Sequence, residues 1–197
     1  GPPIEEFPEI FAERGFALAQ RELAPEGWRL ESVGHLRLLE KLRRAGKPLG
    51  EYVNGRFYYG IKTGFNEAFV VDRATRDRLI AEHKSSAKVI KPFLRGRDIK
   101  RWSIDFAEQY LIKIESSENR QHAWSGKSLT AAEKVFSSHY PAVYSWFRPF
   151  RDSMKARSDQ GHYYWELRSC VYYEEFESGK IIYPDIYEHQ SFVWDEG

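Results

Sequence analysis

Phe57-Tyr58-Tyr59-Gly60-Ile61-Lys62-Thr63-Gly64-Phe65-Asn66-Glu67-Ala68-Phe69-Val70-Val71-Asp72 is the stretch on which the reading of the fold turns. Phe57, Tyr58, Tyr59 and Ile61 favour a strand, as do Phe69, Val70 and Val71. Between them, Gly64 and Asn66 tolerate positive φ and mark a turn. The stretch therefore predicts a β-hairpin whose tip presents Lys62, Thr63 and Asn66. A cation, a hydroxyl and an amide suit phosphates and base edges. They equally suit an ordinary exposed hairpin with a polar tip. Chemistry alone leaves both readings open.

Upstream, residues 28–44 carry a helical stripe of Leu30, Val33, Leu36, Leu39 and Leu42, widened by Leu38. Lys41, Arg43 and Arg44 fall in its last turn, where they complement the dipole. Gly46 and Pro48 stop it. Residues 49–53 are a strand candidate, followed by the turn dipeptide Asn54-Gly55. Downstream, Asp72 is placed to cap a helix over 73–83.

Residues 88–101 hold Lys88, Lys91, Arg95, Arg97, Lys100 and Arg101 against the single acid Asp98. Their spacing follows neither the helical nor the strand period. Such a segment can track a phosphate backbone, releasing counterions at each contact. It can also be a solvated loop with Asp98 paired to a neighbour. Residues 109–114 read as a strand, and Thr130 with Glu133 as a capping box. Pro141 opens a further helical piece with Val143, Trp146, Phe147, Phe150 and Met154 apolar, which Pro149 divides. Arg148, Arg151, Lys155 and Arg157 fall on its outer side. Residues 163–169 read as extended, with two uses: Trp165 and Leu167 as core with Arg168 paired to an acid, or an aromatic binding surface. Residues 180–183 and 191–194 are the last strands.

The 197 residues suffice for one sizeable core. A charged fraction of 30% beside 42% hydrophobic residues excludes a disordered chain. Net charge is only +1, so charge matters here through its distribution. Residues 174–196 contain seven acids against Lys180 alone, opposite in sign to 88–101. The aromatic fraction of 16% fits either a small core filled with large rings or a stacking surface. A single cysteine, Cys170, allows no internal disulfide and predicts a reducing, cytoplasmic setting. No apolar run approaches a membrane span and no signal-peptide pattern opens the sequence.

Catalytic patterns are missing. There is no Gly-rich cofactor loop, no Asn/Asp-Pro-Pro-Tyr/Phe motif, no G-x-S-x-G and no phosphate loop. Pro184-Asp185 has no Asp/Glu-x-Lys downstream. Six scattered histidines and one cysteine lack ligand spacing, so no metal site is expected. The residues describe a binding module.

The run from Gly60 to Asp72 resembles the signature of the TaqI-like C-terminal specificity domain. That domain is the target-recognition part of adenine-specific DNA methyltransferases and fused restriction–modification enzymes. The resemblance continues through 90–102 and 109–112 and resumes at 164–168 and 180–186, covering roughly residues 28–194. Residues 1–27, with scattered aromatics among Ala, Glu and Arg, read as an N-terminal connector of short helix, and the resemblance implies a DNA target-recognition domain over 28–197. It implies an α+β fold: a twisted mixed or antiparallel sheet with packed helices. Double-stranded DNA would be one partner. The methyltransferase domain of a larger parent chain would be the other, holding S-adenosylmethionine and flipping the target adenine. This part would carry no cofactor and no catalytic residue. The implied DNA contacts are Lys62, Thr63, Gly64 and Asn66 at the tip, Arg95, Arg97, Lys100 and Arg101 on the basic segment, and Tyr164 and Arg168. Tip and basic segment are expected side by side, embracing the duplex. The rival reading is a protein-interaction module that docks a catalytic partner through the aromatics of 146–150 and 163–165.

Overall fold

Central to the fold is β5 (Gln109–Ile112), buried along most of its length because it has a strand on each side. β1 (Val70–Asp72) and β2 (Ile90–Pro92) both pair with it antiparallel, giving the order β1-β5-β2. Two small antiparallel hairpins stand apart from this sheet. One joins β3 (Ile99–Lys100) to β4 (Ser103–Ile104), the other β6 (Lys180–Ile182) to β7 (Val193–Asp195). The computed structural model describes all residues except 1, 2, 24, 26, 187 and 188, some of which fall in the expected 1–27 connector. The architecture is α+β with small antiparallel sheets. The chain divides into two units, Gly1–Tyr59 and Gly60–Gly197.

In the second unit, α4 (Asn66–Phe69) leads into β1, and α5 (Arg73–Glu82) follows directly. Asp72 caps α5 as its sequence predicts: its Oδ1 accepts from the Thr75 N–H at 2.8 Å. That bond holds the Asp72 carboxyl below its ordinary pKa. α6 (Leu129–His139), α7 (Pro141–Phe147) and α8 (Arg151–Ala156) come after the sheet. Pro141 opens α7 and Pro149 separates it from α8 by a single 3-10 turn, both as expected. The capping box does not form. The helix begins earlier, with Ser128 in the cap position, and Glu133 instead accepts from the hydroxyl of Tyr164 (2.8 Å) and from Arg151 (2.7 Å).

Large rings fill the core of this unit. Trp165 lies between Tyr163 and Phe136, with centroids at 4.9 and 5.0 Å and planes within 6° of parallel. Trp124 meets Phe136 and Trp165 edge-on. The high aromatic content therefore serves packing first. Beside the stack sits Glu166, 0% exposed. Its carboxylate accepts from Trp124 Nε1, Ser117 N, Ser117 Oγ and Tyr163 N, at 2.5–3.2 Å. Four donors offset the cost of burying that charge.

The first unit contains α1 (Phe7–Arg14), α2 (Val33–Ala45) and α3 (Leu49–Tyr52). α2 starts five residues later than the leucine pattern suggests, because Ser32 takes the cap position and its hydroxyl accepts from His35 N at 3.4 Å. The expected strand at 49–53 is the helix α3 instead. Asn54 and Gly55 form the predicted turn, at φ 53° and 71°, but after a helix rather than between strands.

Candidate nucleic-acid interface

The stretch 57–72 does not fold as a hairpin. Residues 57–63 pair with no strand, and Asn66 opens the helix α4. Strand propensity measures fit to a pleated surface, and these aromatics have no neighbouring strand to fit. Gly64 does take positive φ, at 67°. A Cβ there would lie 2.8 Å from Asp159 Cβ and 2.9 Å from the Asp159 carbonyl oxygen, so the turn needs glycine for space as well as for φ.

Nor is Thr63 presented to solvent; it is 4% exposed. Its hydroxyl accepts from Phe65 N (3.1 Å) and donates to Asn66 Oδ1 (2.7 Å), closing the turn from within. The Thr63 carbonyl accepts from Arg157 at 2.7 Å. Arg157 is buried, donates also to the carbonyls of Tyr164 and Glu166, and lies 4.2 Å over the Phe69 ring. Burial pushes its pKa down to about 10, an effect Asp159 opposes. Helical spacing puts Arg157 on an outer face. However, α8 ends at Ala156, and Arg157 is extended (φ −70°, ψ 148°), so the helical period no longer sets its direction. The role of this anchor is one that sequence reasoning misses. Of the tip, Lys62 and Asn66 remain exposed.

Tyr164 is buried rather than at a surface. Burial and the bond to Glu133 raise its phenol pKa. Arg168 is half-buried, 3.4 Å from Asp159, the pairing with an acid that its sequence allowed. Trp165 and Leu167 are core. The aromatics of 146–150 and 163–165, offered for docking a partner, are buried or half-buried. Trp146 even donates its Nε1–H to the Ala68 carbonyl at 2.8 Å.

The basic segment is more structured than a loop. It passes through β2, a 3-10 turn at Gly96–Asp98, and the β3–β4 hairpin. Asp98 is buried. Its Oδ2 accepts from Arg95 N at 2.8 Å, and its Oδ1 lies 4.0 Å from Arg97 Nε. Arg95 is half-buried, reaching Gln109 Oε1 at 3.4 Å, and Lys91 lies 4.0 Å from Glu177. Arg97, Lys100 and Arg101 are exposed, and Lys100 Nζ donates to the Arg97 carbonyl at 2.6 Å. These three cations stand close together on the hairpin and the turn leading into it. Asp105, at the hairpin's base, is an exposed acid beside them, and the exposed Asp185 follows Pro184, which lies against Gly96.

Tip and cationic hairpin are not side by side. Val70 pairs with Leu111 and Asp72 with Gln109, so residues before 70 approach from the Ile112 end of β5. Ile90 pairs with Ile112 and Pro92 with Tyr110, so residues after 92 leave at the Gln109 end. At about 3.4 Å per residue, the strand alone separates the two ends by roughly 10 Å. Lys62, Gly64, Asn66 and Arg168 gather at one end, and Arg95, Arg97, Lys100 and Arg101 at the other.

Among the described residues no three His, Cys, Asp or Glu side chains gather as ligands for an ion, and no helix is long and apolar enough to cross a membrane. No protein-family model matches the chain, and no curated protein matches it.

Proposed function

We propose that this chain is a sequence-specific duplex-DNA recognition module, the reading part of a larger cytoplasmic adenine-specific DNA methyltransferase or restriction–modification enzyme. The methyltransferase domain of that parent binds S-adenosylmethionine and carries out the transfer. The module positions the DNA for it. The observation that carries this reading is the cluster of exposed cations Arg97, Lys100 and Arg101, with the one acid inside the cluster, Asp98, buried beneath them. Exposed guanidinium groups suit phosphate oxygens and guanine edges. The blocks of sequence from Gly60 to Ile186 supply the choice of DNA among polyanions.

Fluorescence anisotropy of a labelled duplex, titrated at several salt concentrations, tests it. Affinity should fall steeply with salt, with a log–log slope of about −0.9 for each phosphate neutralised. Charge reversal at Arg97 and Arg101 should weaken binding to every sequence alike. Absence of binding at low salt rejects the reading.

One observation favours a protein-interaction module instead. The first unit exposes Ile4, Phe7, Phe11, Trp28 and Leu30. Apolar surface of this kind suits docking of a catalytic partner. Amide exchange with and without the parent's methyltransferase domain separates the readings: new protection confined to residues 3–59 supports docking there, and unchanged exchange removes it.

A further inference from the structure

The β3–β4 hairpin carries one residue that its own turn disfavours. Ile99 pairs with Ile104 and Lys100 with Ser103, leaving Arg101 and Trp102 as a two-residue tip. Trp102 adopts φ 69°. That value at the second turn position is the place of glycine or asparagine, and a bulky side chain there is an outlier. The ring gains no burial in exchange, since Trp102 is 71% exposed. The backbone beneath it is fixed. Trp102 N donates to the Phe192 carbonyl at 3.1 Å, Asp105 N to the Asp98 carbonyl at 2.7 Å, and Ile99 is buried. This stem thus holds a strained, solvent-facing indole beside Arg97, Lys100 and Arg101 in the chain. Strain of this sort persists where another requirement overrides local preference.

Resting on the DNA reading above, we propose that Trp102 is a base-stacking residue, engaging the face of a base at an unpaired or opened step of the duplex. The surrounding cations select a polyanion as the occupant. A large flat ring held at the tip of a narrow two-stranded stem fits the face of a nucleobase. Stacking is indifferent to base identity, because every base has such a face. In an intact duplex those faces are covered by their neighbours. Trp102 therefore distinguishes a duplex with an exposed base from one without.

The test compares wild type, Trp102→Gly, Trp102→Phe and the double variant Arg97→Glu/Arg101→Glu. Each is titrated by anisotropy against a fully paired duplex and against the same duplex with one unpaired base, at several salt concentrations. Glycine suits φ 69° and keeps the turn while removing the ring, so its melting temperature should be no lower than wild type. Trp102→Gly should lose about tenfold in affinity for the duplex with the unpaired base, with an unchanged salt slope. The loss on the paired duplex should be smaller. Trp102→Phe should retain affinity within about threefold, since it keeps a stacking face. The double variant should weaken both probes and flatten the salt slope. If it does so while Trp102→Gly binds the unpaired-base probe like wild type, the stacking role is overturned and the DNA reading stands. If wild type binds neither probe at low salt, the DNA reading itself falls and takes this role with it.

Discussion

Two regions of this chain both contain amphipathic helix and bury very different amounts of it. From residue 60 onward, Phe69, Leu79, Trp124, Phe136, Phe147 and Trp165 are each at most 2% exposed. Before residue 60, no described residue is buried, and Leu38, Leu39 and Leu42 on α2 are all exposed. The leucine stripe of α2 has the right period, yet among the described residues of its own unit only Leu36 in it is even half-buried. Amphipathic spacing thus states which face would be buried and does not supply the surface that buries it. What distinguishes the second unit is a set of rings from residues 124, 136, 147 and 165, brought together around one central strand.

Substitutions can break or sharpen that contrast, and the largest effect should come from the stack. Trp165→Ala in the full chain should cost about 3–5 kcal/mol in urea unfolding, as for other fully buried rings. A loss under 1 kcal/mol would mean the second unit is no better packed than the first. Next comes Gly64→Ala. Its cost combines a disfavoured φ with a collision against Asp159, and about 1–3 kcal/mol is expected by the same measurement. Wild-type stability there would show that the turn shifts freely. Asp72→Ala should cost about 1 kcal/mol through loss of the cap. This term also has a pH signature. The folded carboxyl titrates below its unfolded value, so the stabilisation is complete above the unfolded pKa near 4 and disappears as pH falls through the folded one. A difference between wild type and Asp72→Ala that persists unchanged at pH 2 would exclude the cap as its origin. Smallest should be Leu38→Ala and Leu42→Ala, each within about 0.5 kcal/mol. A loss of 2 kcal/mol at either would show that the α2 stripe is covered in solution.

Sequence alone was a good guide wherever the cause was local. The cap at Asp72, the helix breaks at Pro141 and Pro149 and the positive φ of Gly64 all follow from neighbouring residues. It was a poor guide wherever the partner was distant. Residues 57–61 have strand chemistry but no strand to join. Thr63 looks like an exposed hydroxyl until Arg157, 94 positions away, pulls its carbonyl inward. Glu133 has the spacing of a capping box and answers to Tyr164 and Arg151 instead. For the candidate site, sequence identified the cationic segment and gave no sign of the turn geometry at its end. Nothing in the residue order says that a tryptophan will occupy a glycine position in a turn.

Glu166 also limits how the molecule can be shortened. Its carboxylate gathers donors from Ser117 and Trp124, 49 and 42 positions upstream. A version of the chain ending anywhere between residues 125 and 165 would keep those donors and lose their acceptor. Dissection of the second unit from its C-terminal side therefore has a floor, and a soluble, cooperatively melting truncation is expected only where Glu166 is retained.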